Sequence, residues 1–196
     1  MAGLMGNDIY IHNQGDGVDT IDDGGWSGND TLKLTGTSLT STNVVLTRTG
    51  GDDLFAMTLI FTGETDKIML KNEFAGSAPI QNIIFSNGVT WHIADLQANY
   101  IAKAGTAGND TIYGFTNLND TITGGKGDDY MAGMGGHDTY IHNQGDGADT
   151  IDEWFWGSGN DTLKLTGANL TSSNFTLTAA GSLLYDAVIT FCGVSD

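Results

Sequence analysis

One cysteine, Cys192, and one proline, Pro79, are all that this chain of 196 residues contains of either. A single thiol forbids an internal disulfide, so in an oxidising compartment metal ions are the staple left to it. Basic residues are scarce too, with six Lys and one Arg against 24 acids, for a formal charge of −17. That balance speaks against a nucleic-acid partner, whose phosphates need a positive surface. Glu is nearly missing from the acids: Glu64, Glu73 and Glu153 stand beside 21 Asp. A surface that is acidic only for solubility uses both types freely. Asp alone suits carboxylates held close to the main chain, as in turns and calcium loops. No apolar run approaches the roughly 20 residues that span a bilayer, and the first six residues lack the basic and apolar pattern of a signal peptide. H-E-x-x-H, G-x-S-x-G and P-loop motifs are absent, and the histidines have no nucleophile at motif spacing, so the chain does not read as an enzyme.

What the chain has instead is glycine and aspartate at a fixed period. Gly124-Gly125-Lys126-Gly127-Asp128-Asp129-Tyr130-Met131-Ala132 fits the pattern G-G-x-G-x-D-x-U-x, with U apolar, at every fixed position. The glycines let six residues turn tightly and aim carbonyls inward. Asp129 adds a carboxylate on a short stem, and Tyr130-Met131-Ala132 forms a very short strand with its middle side chain in the core. The G-x-D-x-U half recurs at Gly108-Asn109-Asp110-Thr111-Ile112, Gly136-His137-Asp138-Thr139-Tyr140, Gly147-Ala148-Asp149-Thr150-Ile151 and Gly159-Asn160-Asp161-Thr162-Leu163. Asn119-Asp120-Thr121-Ile122 repeats it with Leu118 in place of the glycine. Asp110, Asp120, Asp129, Asp138, Asp149 and Asp161 are separated by 10, 9, 9, 11 and 12 residues, the signature of a repeat architecture.

A first block precedes this one. Gly6-Asn7-Asp8-Ile9-Tyr10, Gly17-Val18-Asp19-Thr20-Ile21 and Gly28-Asn29-Asp30-Thr31-Leu32 lie eleven residues apart. Tyr10 to Gly17 returns letter for letter as Tyr140 to Gly147, and Asn29 to Gly36 as Asn160 to Gly167, so the chain is a tandem duplication with a period of 130 or 131 residues. We expect a slice of a longer array or a truncated final unit, divided as repeat block 1–36, β segment 37–103, repeat block 104–167 and a partial second β segment 168–196. Within 37–103, strands are expected at Val44–Thr47, Leu54–Phe61 and Lys67–Lys71. Ile83 to Trp91 reads as a hairpin whose Asn87-Gly88 forms a type I′ turn. Ala94 to Lys103 reads as a short helix with Asp95 in its first turn. This segment should continue or cap the repeat structure and cover an edge that would otherwise invite pairing.

The repeats resemble the RTX, or haemolysin-type, calcium-binding repeat. The stretch from about Asp30 to Leu96 resembles the haemolysin-type calcium-binding protein-related domain in Asn29 to Leu34, the turn Gly51-Asp52-Asp53-Leu54, Ile68 to Phe74, and Ile80 to Trp91 followed by Asp95-Leu96. The resemblance implies an all-β fold, a parallel β-roll in which two nine-residue units make one coil, extended or capped by further strands and hairpins. It implies Ca2+ between turns stacked on the same side, held by turn carbonyls and repeat aspartates. It also implies bacterial type I secretion to the cell surface or beyond, which uses a C-terminal signal and so accounts for the missing N-terminal one.

Stacking every second unit sets Asp110 over Asp129, Asp120 over Asp138, Asp129 over Asp149, Asp138 over Asp161 and Asp8 over Asp30, with Asp19 on the opposite side. The candidate metal ligands are these nine aspartates with the turn glycines Gly6, Gly17, Gly28, Gly108, Gly125, Gly127, Gly136, Gly147 and Gly159. Tyr10, Ile21, Leu32, Ile112, Ile122, Met131, Tyr140, Ile151 and Leu163 are the expected core. His12 and His142, lone histidines in polar turns, are expected to be exposed. Trp26 and Trp154-Phe155-Trp156 either cap the roll or form a platform for sugar rings. Beyond calcium, the partners to consider are cell-surface glycans, for an adhesive module, and a second copy joined head to tail at open ends. A third reading is a secretion or targeting module of a larger toxin, bacteriocin or polysaccharide-modifying enzyme.

Overall fold

Short strands separated by glycine turns build the molecule, as a nine-residue period requires. The computed structural model describes residues 1–3, 5–22, 28–48, 56–74, 80–153, 159–180 and 186–191. The turn at Gly50 to Asp53, the strand start at Leu54-Phe55, Trp26, Trp154-Phe155-Trp156 and Cys192 lie outside the described residues. The chain divides into two units, Met1–Lys103 and Ala104–Asp196.

In the first unit, β1 (Ile9–Asn13) pairs in parallel with β3 (Thr31–Thr35) at Tyr10↔Leu32. Strand β2 (Val18–Ile21) lies in a second sheet. The following segment continues both sheets. Strand β6 (Lys67–Leu70) pairs in parallel with β2, and β7 (Asn82–Ile84) pairs in parallel with β3. Antiparallel strands then close the edges, β5 (Met57–Phe61) on β6, β4 (Val44–Thr47) on β5, and β8 (Thr90–His92) on β7. The helix α1 (Ile93–Ala104) follows, and its first-turn Asp95 accepts the His92 amide at 2.9 Å, half of a capping box. The core between the sheets holds Ile21, Leu32, Leu59, Ile68 and Leu70, all fully buried. Each such side chain contributes about 1.5–3 kcal/mol relative to exposure.

The β7–β8 connection corrects one expectation. Gly88 has φ 82° but Asn87 is not among the positive-φ residues, and the Gly88 amide bonds the Phe85 carbonyl at 2.9 Å. The turn is therefore a type I turn over Ser86-Asn87 closed by a left-handed glycine, a three-residue loop rather than a two-residue type I′ one.

The second unit is a parallel β-roll. Strand β9 (Thr111–Tyr113) pairs with β11 (Tyr130–Ala132), and β11 with β13 (Thr150–Ile151). On the other side β10 (Thr121–Thr123) pairs with β12 (Thr139–Asn143), and β12 with β14 (Thr162–Thr166). Every pairing is parallel and skips one strand, so two repeats make one coil. The three-residue strands bury their middle side chains Ile112, Ile122 and Met131, and with Tyr140 of β12 these fill the interior. The hairpin β15 (Phe175–Ala180) and β16 (Asp186–Phe191) stands apart as a two-stranded antiparallel sheet.

Two expected core residues are not buried. Leu163 is 39% exposed and Ile151 is half-buried, because among the described residues β14 and β13 are end strands with one neighbour each. The corresponding Leu32 is fully buried, with β7 against its strand. Among the described residues no helix is long and apolar enough to cross a membrane.

Candidate metal centre

Parallel stacking of the repeats turns sequence spacing into a ladder of carboxylates. The Asp110 amide donates to Asp129 Oδ1 at 2.8 Å, Asp120 to Asp138 at 2.7 Å, Asp129 to Asp149 at 3.2 Å, and Asp138 to Asp161 at 2.8 Å. In the first unit the Asp8 amide donates to Asp30 Oδ1 at 2.7 Å. These are the same pairs that the repeat spacing gives. Asp30, Asp129, Asp138, Asp149 and Asp161 thus each spend one oxygen on the backbone of the preceding coil.

The second oxygen sorts the sites. Asp110 Oδ2 accepts from the Thr106 amide and hydroxyl at 2.6 and 2.8 Å, and Asp120 Oδ2 from the Phe115 amide at 2.7 Å. Asp19 Oδ2 meets His12 Nδ1 at 2.7 Å, and Asp149 Oδ2 meets His142 Nδ1 at 2.8 Å. In contrast Oδ2 of Asp8, Asp129 and Asp138 is buried and receives no hydrogen bond. Each is aimed back at its own turn: a Cβ at Gly3, Gly124 or Gly133 would lie 2.3, 2.0 or 2.2 Å from it.

Turn carbonyls line the same stacks. A Cβ on Gly125 would sit 2.0 Å from the Thr106 oxygen, and one on Gly127 2.7 Å from that of Gly108. One on Gly147 would sit 2.2 Å from the Gly127 oxygen. On the other side Gly136 faces the Leu118 oxygen and Gly159 the Gly136 oxygen, at 1.8 and 1.6 Å by the same measure. Leu118, which departs from the pattern, therefore still presents its carbonyl. In the first unit Gly28 faces the Gly6 oxygen at 1.8 Å. Gly17 instead donates its amide to Asp66 Oδ1 at 3.0 Å.

The electrostatics match this accounting. Burial pushes the Asp129 carboxyl above its ordinary value, and the charges of Asp149, Asp110 and Asp146 push the same way against the Asp110 amide. Burial likewise raises Asp138, with Asp161 adding to it and the Asp120 amide opposing. A ladder of acids that receives too few donors holds its charge at a cost, and oxygen-rich, carboxylate-dense turns are what a hard divalent cation uses. The residues present fit calcium at Asp8, Asp129 and Asp138 on this ground.

Asp19 stands differently. Its register neighbour on the next strand is Ile68 rather than an acid, and its partner is the imidazole of His12. His12 is fully buried, not exposed, and its Nε2 lies 3.1 Å from Asp66 Oδ1. His142 is buried as well. The phase of β1 explains both corrections. Tyr10 and His12 point inward while Ile9 and Ile11 face out, and β12 repeats the arrangement with Tyr140 and His142 inward.

Among the described residues two groupings of ligand type emerge: His12, Asp16 and Asp19, and Asp138, Glu153 and Asp161. Asp16 also accepts the Asn13 amide at 2.8 Å. Sequence reasoning missed Asp66 and Glu153, since neither follows the repeat glycines. Asp66 carries a faint signal, an acid two places before the buried Ile68.

Fold and carboxylate turns together define a class, an acidic β-solenoid consistent with a calcium-binding repeat module. A family model described as haemolysin-type calcium binding protein related domain matches residues 57–95, the span of β5 to the start of α1. The match covers a minority of the chain, and its description names binding rather than catalysis, in keeping with a non-enzymatic module. No curated protein matches the chain.

Proposed function

We propose that the protein is a calcium-binding β-roll module of a secreted or surface-bound bacterial protein, and that calcium triggers its folding. The observation that carries this reading is the set of buried, donorless Oδ2 atoms on Asp8, Asp129 and Asp138. A buried polar oxygen left without a partner costs about 1–3 kcal/mol, and a bound cation removes that cost. Asp110, Asp120, Asp129, Asp138, Asp149 and Asp161, with Asp8 and Asp30, would share the ions with turn carbonyls, since Ca2+ takes about six to eight oxygens. On this reading 1–36 and 104–167 are the ion-binding blocks, 37–103 is the β segment that continues the first, and 168–196 begins a second such segment.

The charge of −17 supplies the switch. Without cations, self-repulsion opposes compaction. Extracellular calcium modules have dissociation constants of about 10⁻⁴ to 10⁻³ M, far above the free calcium of a cell interior. The chain would thus stay open for type I export and fold outside. A site tenfold above its dissociation constant adds roughly 1.4 kcal/mol by mass action, and several sites sum to the stability of a typical domain. Circular dichroism tests this directly. The expected result is a disordered spectrum in chelator and a β spectrum in millimolar calcium; a β spectrum unchanged by chelator overturns it.

A further inference from the structure

Asp138, Glu153 and Asp161 each place one carboxylate oxygen within 4.8 Å of the others. Asp138 and Asp161 are stacked repeat aspartates, whereas Glu153 follows strand β13 and belongs to no repeat motif. Acid proximity alone does not make a site, but two further features point to a ligand. The Asp138 side chain is 1% exposed with Oδ2 lacking a donor, and Glu153 Oε2 is buried and lacks one too.

The geometry also holds Glu153 in place. Its Oε1 accepts the Tyr140 hydroxyl, and that hydroxyl accepts the Gly133 amide at 2.6 Å. Gly133 keeps the space open, since a Cβ there would lie 2.2 Å from Asp138 Oδ2 and 2.6 Å from the Tyr140 hydroxyl. Burial raises the Glu153 carboxyl above its ordinary value, the Tyr140 bond pulls it down, and Asp161 and Asp138 raise it further. With Asp138 Oδ2 and Glu153 Oε2 both buried and lacking a donor, three acids face one another around a place suited to a positive charge.

We propose that Glu153 is a calcium ligand from outside the repeat, completing with Asp138 and Asp161 a three-carboxylate site that Tyr140 keeps in shape. This rests on the calcium reading above and adds a ligand that the repeat pattern does not contain. Ligand charge count tunes affinity in calcium sites, so this is the tightest site of the second unit.

Calorimetric titration of the full chain with calcium chloride, for wild type, E153Q and D138N, tests it. We expect the tightest binding class to weaken at least tenfold in E153Q and to vanish in D138N. Y140F should weaken it less than E153Q does. An unchanged tightest class in E153Q, alongside its loss in D138N, overturns the role of Glu153 and leaves calcium binding intact. No calcium uptake by wild type sinks the calcium reading itself.

A second measurement does not depend on any site variant folding. With the glutamates labelled at the δ carbon and the aspartates at the γ carbon, trace gadolinium in calcium-loaded wild type should broaden the glutamate signal that E64Q and E73Q both retain. A Glu153 signal left sharp while the aspartate carboxyl signals broaden overturns the proposal.

Discussion

His12 Nε2 lies 3.1 Å from Asp66 Oδ1 although 54 residues separate the two in the chain. The contact ties the first repeat block to the segment that the family model matches. With Nδ1 on Asp19 at 2.7 Å, the ring faces a carboxylate at each nitrogen.

Removing one partner of a buried pair costs about 3–5 kcal/mol, so H12A should lower the urea midpoint of calcium-loaded protein by a stability change in that range. H92A is the control. His92 is exposed and bonds Asn82 at 2.9 Å, and its loss should stay within about 0.5 kcal/mol. Equal effects from the two would remove the structural role given to His12.

The same pair sets a pH dependence. Burial pushes the Asp66 carboxyl up, but the Gly15 and Gly17 amides and His12 outweigh it and hold it below its ordinary value of 3.8. A depressed folded pKa gives stability that is present above the unfolded value and lost as pH falls through the folded one. The stability gap between wild type and D66N should therefore be constant from neutral pH down to about 5 and close only below about 4. Paired urea titrations across that range measure it, and a gap that closes between pH 7 and 5 contradicts the assignment.

Glu73 has the opposite sign. It is fully buried, and burial raises its carboxyl well above 4.5, with only the Ile80 amide opposing. The folded state then prefers the protonated acid, so its stabilising share is intact at low pH and is lost as pH rises through the raised value. E73Q, neutral at every pH, should match wild type near pH 4 and be more stable than it at higher pH. Urea unfolding at the two extremes reads the difference, and a less stable E73Q throughout would mean that the charged form has an undescribed partner.

The carboxylate ladder was legible in the sequence because a parallel roll with two repeats per coil stacks every second aspartate, and Asp129 over Asp149 follows by counting. The parallel continuation of the roll by β6 and β7 was legible only as a choice between continuing and capping. What spacing could not give was set by side-chain phase. Ile9 and Ile11 look like core in a string of letters, yet Tyr10 at the apolar repeat position fixes alternation and sends His12 inward with it. Glu153 was invisible for another reason: its place among the acids comes from how the chain leaves β13, not from any periodic signal.

The turn glycines give a paired test. Gly125 has φ 97° and Gly145 φ 90°, so alanine strains both backbones, by about 1–2 kcal/mol. A Cβ at Gly125 would also lie 2.0 Å from the Thr106 carbonyl oxygen, whereas at Gly145 nothing lies within 4 Å. G125A should therefore cost clearly more stability in calcium than G145A, and should also weaken calcium binding by pushing the stacked carbonyl aside. Calorimetry and urea unfolding on the two variants separate strain from clash. Equal losses would mean that the two turns are not stacked as closely as the parallel register requires.

Leu32 and Leu163 occupy the same place in the two copies, in strands of identical sequence, yet one is fully buried and the other 39% exposed. The difference is the neighbour on the far side: β3 has β7 against it, with Leu32 opposite Ile83, whereas among the described residues β14 has β12 alone. Truncating a buried leucine costs about 2–5 kcal/mol through lost transfer energy and the cavity left behind, while a partly exposed one has less to lose. L32A should thus destabilise the calcium-loaded chain several times more than L163A, as read from paired urea midpoints. Comparable losses would mean that β14 is covered in solution as β3 is, by a strand of another copy or of a partner, and sedimentation of wild type and L163A would distinguish self-association from a monomer.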